Sequence, residues 1–276
     1  MTEHRPIFSI HVPKTGGTTF AEVLSHAYGA RVAFSYGRDH PRTHPRIRES
    51  GATIDQAAAR ALASDGVLVV HGHFTVADLV EVEPDPSRYW IWLRDPIERT
   101  IAQYQFYKQQ AGGRSKLGRA VASGSVTMAG FAAHAAIRNL QTRYIGSLPI
   151  GAFGFVGITE HFSAGVEMLG LPLPGGKRIL PDVDGGRPSA DRATRAAIAM
   201  ENIPDLALYS EATQVFLSRL KIRDEVKAPR ALSALARLFG RRQKRDSLPE
   251  PDAGSADSAY DRVQFTTSLD RTVPRA

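Results

Sequence analysis

The amino-acid sequence predicts an α/β fold of three layers, in which a mostly parallel central sheet is flanked by helices. Short apolar stretches typical of buried strands alternate with stretches in which apolar residues recur at helical spacing. The chain has 276 residues, of which 42% are hydrophobic, so it can bury one substantial core. The predicted strands are residues 7–12, 67–70, 89–93 and 153–158.

The first predicted strand leads through a glycine-rich turn, HVPKTGGTTF at residues 11–20, into a predicted helix. Apolar residues from Phe20 onwards recur at helical spacing, which puts both glycines at the strand-to-helix turn. Glycine lets the main chain approach phosphate oxygens, and the first N–H groups of a helix and its dipole favour an anion. Because Lys14 adds a mobile positive charge, we predict a phosphate site rather than a turn that only caps the helix.

Residues 35–46, which precede the second predicted strand, are rich in polar, basic and proline residues. This composition argues against a regular element of the core, so we predict an exposed loop. A loop of this kind near a phosphate site is either a solvated connection or a contact for an anionic acceptor.

Two histidines, His71 and His73, follow the second predicted strand. Imidazole is suited to accepting a proton near neutral pH, which makes each of them a candidate general base. If the strand continues, alternation puts both rings on one side, whereas Gly72 also permits a bend. Metal binding and buried hydrogen bonds are the alternatives for an isolated pair of histidines.

The third predicted strand is followed by Arg94 and by a well-marked helix start. Asp95 suits the N-cap, Pro96 the first helical position and Glu98 the reciprocal position of a capping box. Ligands of open α/β sheets gather outside the carboxyl ends of the strands, so we expect Arg94 in the same crevice as Lys14. A salt bridge from Arg94 to Asp95 or Glu98 is the alternative.

Two later segments carry weaker site candidates. Asn139 and Arg143 lie four residues apart on a predicted helix, so both can project toward one ligand, and a helix-surface role explains them equally well. Glu160 follows the last predicted strand and is expected to compensate the dipole of the next helix, which Thr159 can cap.

Three of these motifs resemble segments of sulfotransferases that use 3′-phosphoadenosine 5′-phosphosulfate (PAPS) as donor. KTGGTT at residues 14–19 resembles their 5′-phosphosulfate loop, and LRDPIER at residues 93–99 resembles their 3′-phosphate segment. HGHF at residues 71–74 resembles the segment whose second histidine acts as base. In the GxxxxGK[ST] loop of nucleotide hydrolases the lysine follows the glycines, whereas here it precedes them. The resemblance spans roughly residues 7–220 and is closest to carbohydrate sulfotransferases of the heparan sulfate 2-O-sulfotransferase-like group.

The resemblance implies a P-loop NTPase-like sulfotransferase architecture and transfer of a sulfuryl group from PAPS to a hydroxyl, or secondarily an amine, of a carbohydrate or glycoconjugate. It implies 3′,5′-bisphosphoadenosine as product and no required metal. Lys14 would stabilise the leaving phosphate, His73 would act as base and Arg94 would bind the 3′-phosphate. Substrate contacts are predicted for His71 and Arg143. The residues of the implied donor loop are Lys14, Thr15, Gly16, Gly17, Thr18 and Thr19.

One position departs from the family pattern. The family serine that assists the arginine at the 3′-phosphate would fall eight residues after Arg94, where this chain has Ala102. Thr100 would point to a different side of the helix. The sequence leaves open whether Gln103 takes the role of that serine.

Two other functions stay open at this point. A P-loop nucleotide kinase that uses ATP and Mg²⁺ is the enzymatic alternative, and the position of the lysine argues against it. A non-catalytic nucleotide-binding or scaffold protein is the second alternative, which Ala102 makes conceivable. No carboxylate cluster typical of Mg²⁺ sites and no ligand spacing typical of Zn²⁺ sites stands out, so no metal site is predicted.

The net charge of +7 is concentrated toward the carboxyl end. Residues 221–245 carry nine basic and two acidic residues, and residues 246–276 carry three basic and six acidic residues. This leaves +3 for residues 1–220, which argues against a nucleic-acid-binding surface there. We therefore predict a sulfotransferase domain at 1–220, a basic amphipathic helical segment at 221–245 and a disordered tail at 246–276.

Apolar residues at helical spacing beside the basic residues of 232–245 predict a weak contact with an anionic membrane surface. A terminal helix that packs on the body is the alternative. The amino-terminal residues form no apolar signal segment and the chain contains no cysteine. We therefore expect a cytoplasmic protein, peripheral at the inner membrane face if the membrane contact forms.

Overall fold

The computed structural model of the chain describes residues 4–51, 54–109, 115–174 and 190–225. Its strands are β1 (Ile7–Ile10), β2 (Val32–Ser35), β3 (Val69–Gly72), β4 (Tyr89–Leu93) and β5 (Phe155–Ile158). Its α-helices are α1 (Gly17–Tyr28), α2 (Pro45–Glu49), α3 (Gln56–Ser64), α4 (Val76–Leu79), α5 (Pro96–Gln109), α6 (Lys116–Ala122), α7 (Met128–Ala133), α8 (Leu140–Ile145), α9 (Phe162–Met168), α10 (Arg192–Glu201) and α11 (Ile203–Glu225).

The strands of the described residues form one sheet in the order β2-β3-β1-β4-β5, and every neighbouring pair is parallel. The predicted α/β class with a parallel central sheet is confirmed. Four of the strands overlap the predicted ranges. The sequence pattern does not predict β2, because its four residues at the sheet edge are too few to establish a period.

Apolar clusters on both faces of the sheet hold the helices in place. On one face, Phe20 of α1 and Phe162 of α9 pack with Trp92 of β4. On the other face, Leu62 of α3 and Phe216 of α11 belong to a larger cluster together with residues of α4 and α8. Because successive strand residues point to opposite faces, each strand contributes to both helix layers. This arrangement agrees with the predicted three layers.

The predicted boundary at residue 220 falls within a helix, because α11 continues to Glu225. The predicted membrane-contact segment 232–245 and the predicted tail 246–276 lie outside the described residues.

Candidate functional site

The sheet opens between β1 and β4 at the carboxyl ends of the strands. The chain leaves β1 toward β2 on one side of the sheet and leaves β4 toward β5 on the other. Neighbouring strands whose connections leave in opposite directions create the crevice in which α/β proteins bind ligands. Lys14 follows β1 and Arg94 follows β4, and Arg94 Nη1 donates to the carbonyl oxygen of Lys14 over 3.3 Å. The structure thus brings together the two residues predicted to contact phosphate.

The loop between β1 and α1 turns sharply, because Lys14 and Gly16 have positive φ angles of 67° and 83°. For a residue with a side chain this conformation costs about 1–2 kcal/mol. A hydrogen bond of 2.9 Å from Thr15 Oγ1 to the carbonyl oxygen of Val12 braces the turn. Gly16 is the N-cap of α1 and has no side chain to accept from the first N–H groups, which makes this helix end suited to an anionic ligand.

The predicted loop residues differ in what their side chains do. Thr15 is fully buried and its hydroxyl is used within the loop, so only its main chain can serve a ligand. Thr18 and Thr19 lie in the first turn of α1 and are half-buried. Lys14 is half-buried, and its Nζ lies 3.6 Å from the centre of the Phe106 ring, a cation–π contact.

The contact between Lys14 and Phe106 shows which helix faces the loop. Phe106 belongs to α5, the helix that follows Arg94. Ala102 lies one helical turn before Phe106 and therefore on the same face. Ala102 is half-buried. Through Phe106, this face of α5 lies against the side chain of Lys14.

Three imidazole rings stack beside the loop: His11 after β1, His71 in β3 and His73 after β3. The ring centres of His11 and His73 are 4.3 Å apart, and those of His11 and His71 are 5.1 Å apart. None of the three residues is more than 8% exposed. Sequence reasoning misses His11 as part of this group, because its pairing with β3 is a tertiary contact.

His11 also connects the stack to the start of α1. A Cβ atom at Gly17 would lie 1.9 Å from Cδ2 of His11, so only glycine fits at that position. Burial lowers the pKa of His11 well below its usual range, and the neighbouring His73 and His71 lower it further. His11 is therefore a neutral packing partner of the loop and of both other rings.

His71 is held by both of its ring nitrogens. A carbonyl oxygen only accepts, so Nε2 donates to the carbonyl of Gly17 over 3.1 Å and Nδ1 accepts from the Ser9 hydroxyl over 2.8 Å. Burial lowers the pKa of His71 to about 3. His71 thus forms buried hydrogen bonds, one of the alternatives predicted for the histidine pair, and these contacts do not favour the predicted substrate contact.

His73 has one nitrogen fixed by the main chain. Its Nδ1 donates to the carbonyl oxygen of His11 over 2.8 Å, so Nε2 carries the lone pair. The main-chain N–H of His73 donates to the carbonyl of Ser35 at the end of β2. The ring of Tyr36 packs at 5.1 Å on an edge of the imidazole. The ring orientation and tautomer of His73 are thus set by neighbouring strands.

Residues 35–46 are only in part the exposed loop that their composition predicts, because Arg38, Asp39, Pro41, Pro45 and Arg46 are exposed whereas others are buried. Tyr36, His40 and Thr43 are each 2% exposed or less. Thr43 Oγ1 accepts from the main-chain N–H of Tyr36 over 3.1 Å, which folds the segment back on itself. The buried residues of the segment therefore pack beside His73.

The start of α5 is capped differently from the predicted capping box. Asp95 is the cap as predicted, because its Oδ1 accepts from two main-chain N–H groups of the first turn at 2.9 and 3.0 Å. The N–H of Asp95 itself donates to Glu160 over 3.0 Å, whereas Glu98 pairs with Arg195 at 2.6 Å. Glu160 therefore fixes the turn that carries Arg94, a role that its position after β5 in the sequence does not reveal.

The side chains on either side of Ala102 in α5 form a buried network of their own. Arg99 is fully buried and donates to Oε1 of Gln103 over 2.7 Å and to Oγ1 of Thr100 over 3.2 Å. Burial lowers the pKa of Arg99 to about 10. Thr100 and Gln103 are thus buried, and the side-chain oxygen of each accepts from Arg99.

Arg143 lies on α8, and its side chain folds back onto the main chain that precedes this helix. Its guanidinium donates to the carbonyl oxygens of Ala135 and Ala136, the latter over 2.8 Å. Burial lowers the pKa of Arg143. These bonds give Arg143 the task of holding the connection before α8, and the predicted substrate contact gains no support from them.

Thr159 joins the loop to the end of β4. Its Oγ1 lies 2.8 Å from the carbonyl oxygen of Thr15 and 3.0 Å from that of Leu93. The hydroxyl thus bridges the loop and the end of β4, and the predicted capping role of Thr159 is wrong. Sequence reasoning also misses Gln141, whose side chain contacts the main chain of Arg94.

In the described ranges, no group of three or more histidines, cysteines or carboxylates is arranged to hold a metal ion. No helix in the same ranges is long and apolar enough to cross a membrane. Comparisons with protein-family models, with curated proteins and with solved structures found no match to this chain. The case for a function therefore depends on the geometry of the site.

We predict that the buried histidines make the protein less stable in mild acid. In the unfolded chain His71 binds a proton below about pH 6.5, whereas in the folded chain it stays neutral down to about pH 3. Because the unfolded state binds more protons in this range, the free energy of unfolding falls as the pH falls. The slope is up to about 1.4 kcal/mol per pH unit for one such group. Urea unfolding between pH 7.5 and 5 measures it.

The matched pair for this measurement is His71→Gln and His26→Gln. His26 is exposed on α1, so its replacement is expected to leave the pH dependence unchanged. The His71→Gln protein is expected to lose less stability between pH 7.5 and 5 than the wild type does. An equal loss in all three proteins would contradict the assignment of a neutral, buried His71.

Proposed function

We propose that the protein is a PAPS-dependent sulfotransferase that acts on a hydroxyl of a carbohydrate or glycoconjugate. The observation that carries this proposal is the loop after β1, in which Lys14 and Gly16 adopt positive φ angles directly before the start of α1. Main-chain amides in such turns and at helix starts bind anions. Arg94 and His73 follow the strands on either side of β1.

The strand order supports a site with two separate ends. β3, β1 and β4 are consecutive in the sheet, and neighbouring strands lie about 4.8 Å apart. His73 therefore lies on one side of the loop and Arg94 on the other. A nucleotide bound with its 5′ end on the loop and its 3′-phosphate toward Arg94 leaves the side of His73 to the acceptor.

The donor supplies an activated sulfuryl group, and the residues of the chain handle charge and proton. Lys14 and the loop amides stabilise the negative charge that the 5′-phosphate oxygen gains when its bond to sulfur breaks. Nε2 of His73 accepts the proton that the acceptor hydroxyl loses as its oxygen bonds to sulfur. Because the pKa values of His11 and His71 are lowered, both stay neutral near pH 7 and do not compete for this proton.

The 3′ end of the proposed site depends on Arg94. Its guanidinium donates to the carbonyl of Lys14, which keeps it beside the loop. Ala102 on the facing wall of α5 offers no hydroxyl where the family has a serine. We therefore infer that the 3′-phosphate contributes less to donor binding here than it would in a site that has both the arginine and the serine hydroxyl.

A first prediction concerns nucleotide binding. Calorimetry on the full-length chain is expected to show binding of 3′,5′-bisphosphoadenosine without Mg²⁺, and Lys14→Ala is expected to weaken it about tenfold or more because a charged hydrogen bond is lost. Lys116→Ala, at an exposed position of α6, is the control and should bind like the wild type. Tight binding of ATP with Mg²⁺ alone would support the kinase instead, and no binding of either nucleotide would support a non-catalytic protein.

A second prediction concerns the base. In a labelled-sulfate transfer assay with PAPS and a panel of sugar acceptors, His73→Ala is expected to lower turnover by about 10²–10⁴-fold. Its affinity for 3′,5′-bisphosphoadenosine should stay within about twofold of the wild type, since His73 lies away from the nucleotide side. His26→Ala serves as the control. Full activity of the His73→Ala enzyme would remove the assignment.

A third prediction restores the hydroxyl that the family has. Ala102→Ser is expected to tighten the binding of 3′,5′-bisphosphoadenosine by about three- to tenfold through one hydrogen bond to phosphate. Adenosine 5′-phosphate, which lacks the 3′-phosphate, should bind equally to both proteins. Ala196→Ser on an exposed face of α10 is the control. Tighter binding of both nucleotides would show that the effect is not specific to the 3′-phosphate.

A further inference from the structure

The main chain of Arg94 is held by one side chain. The N–H of Arg94 donates to Oε1 of Gln141 over 2.9 Å, and Nε2 of Gln141 donates to the carbonyl oxygen of Arg94 over 2.9 Å. A single planar amide thus satisfies both polar groups of this residue, as a neighbouring strand would.

This support lies at the point where strand pairing stops. β1 is paired with β4 as far as Ile10 opposite Ile91, and β5 is paired with β4 as far as Ile158 opposite Leu93. Arg94 is the next residue, where the sheet has parted to make the crevice. A further strand paired with Arg94 would fill the space that a ligand needs. The amide of Gln141, which lies on α8, holds the main chain of Arg94 without filling that space.

Gln141 is itself immobilised by α11. Gln141 and Asp205 are both fully buried. The N–H of Gln141 donates to Oδ2 of Asp205 over 3.1 Å, and the N–H and hydroxyl of Thr142 both donate to Oδ1 of Asp205 over 2.7 Å. The carboxylate also opposes the positive end of the α8 dipole. Arg94 is therefore positioned through two helices that come later in the chain.

We propose that Gln141 is a positioning residue that aims Arg94 at the 3′-phosphate and so sets the preference of the site for a 3′-phosphorylated nucleotide. The proposal rests on the proposed function. Small displacements of a binding group cost much of its contribution, so a main chain free to turn at Arg94 weakens its contact with phosphate. The loop that receives the 5′ end keeps the hydrogen bonds of Thr15 and Thr159, so its contacts with the 5′ end are expected to change less than those of Arg94.

The binding test compares two nucleotides on the full-length protein by calorimetry. Gln141→Met, which keeps the length and volume of the side chain without its amide, is expected to raise the Kd of 3′,5′-bisphosphoadenosine about tenfold. The Kd of adenosine 5′-phosphate should stay within about twofold of the wild type. Gln103→Met is the matched control, because Gln103 is a buried amide that contacts Arg99 rather than the main chain of Arg94.

An equal loss for both nucleotides, or the same selective loss in Gln103→Met, would overturn the proposal by showing a general effect on structure. If Gln141→Met does not fold, Gln141→Asn gives the same comparison. The asparagine side chain is one methylene shorter than glutamine, so its amide does not reach the main chain of Arg94. Unchanged selectivity in a folded variant also overturns the proposal.

Hydrogen exchange of the wild-type and variant proteins provides a second measurement that needs no ligand. The amide of Arg94 is expected to exchange at least about tenfold faster in Gln141→Met, because its acceptor is gone, while the amide of Trp92 within β4 keeps its protection. Unchanged protection at Arg94 would refute the contact itself. If the wild type binds no bisphosphoadenosine, the proposed function fails, and this measurement still decides whether Gln141 holds Arg94.

Discussion

Because every strand of the sheet is parallel to its neighbours, all five strands end at the same edge, and the residues that follow them are forced together. Tyr36, His73, His11, Arg94 and Thr159 each come directly after a different strand. They are far apart in the chain, and parallel pairing alone makes them neighbours. The grouping of the histidines, the glycine-rich loop and Arg94 is thus a consequence of strand direction combined with the residue types at the strand ends.

The loop after β1 combines an unfavourable main-chain conformation with close packing around it. The positive φ of Lys14 is tolerated because neighbouring contacts leave the loop few alternatives. His11 fills the space over Gly17, and Thr159 bridges the carbonyl of Thr15 to the end of β4. The amides of the loop are therefore oriented before a ligand binds, so binding does not have to order them.

The residues that support the site come from segments with no functional appearance of their own. Glu160 holds the N–H of Asp95, and Gln141 holds the main chain of Arg94. Asp205, in the first turn of α11, holds α8 in turn. Side chains from α8 and from the segment after β5 thus hold the main chain at Arg94 and Asp95, and Asp205, which holds α8, lies more than a hundred residues after Arg94.

The sequence by itself determined the α/β class, the position of the glycine-rich loop and the cap of α5 at Asp95, because these follow from local patterns of apolar residues, glycine and hydrogen-bonding side chains. It did not determine β2, the burial of Tyr36, or the contacts of Gln141, because each depends on residues brought together only by folding. The tertiary structure also gives the two histidines of the sequence motif different partners. His71 is bonded to Ser9 and Gly17 through its two nitrogens, whereas Nδ1 of His73 donates to the carbonyl of His11, a difference that no local pattern encodes.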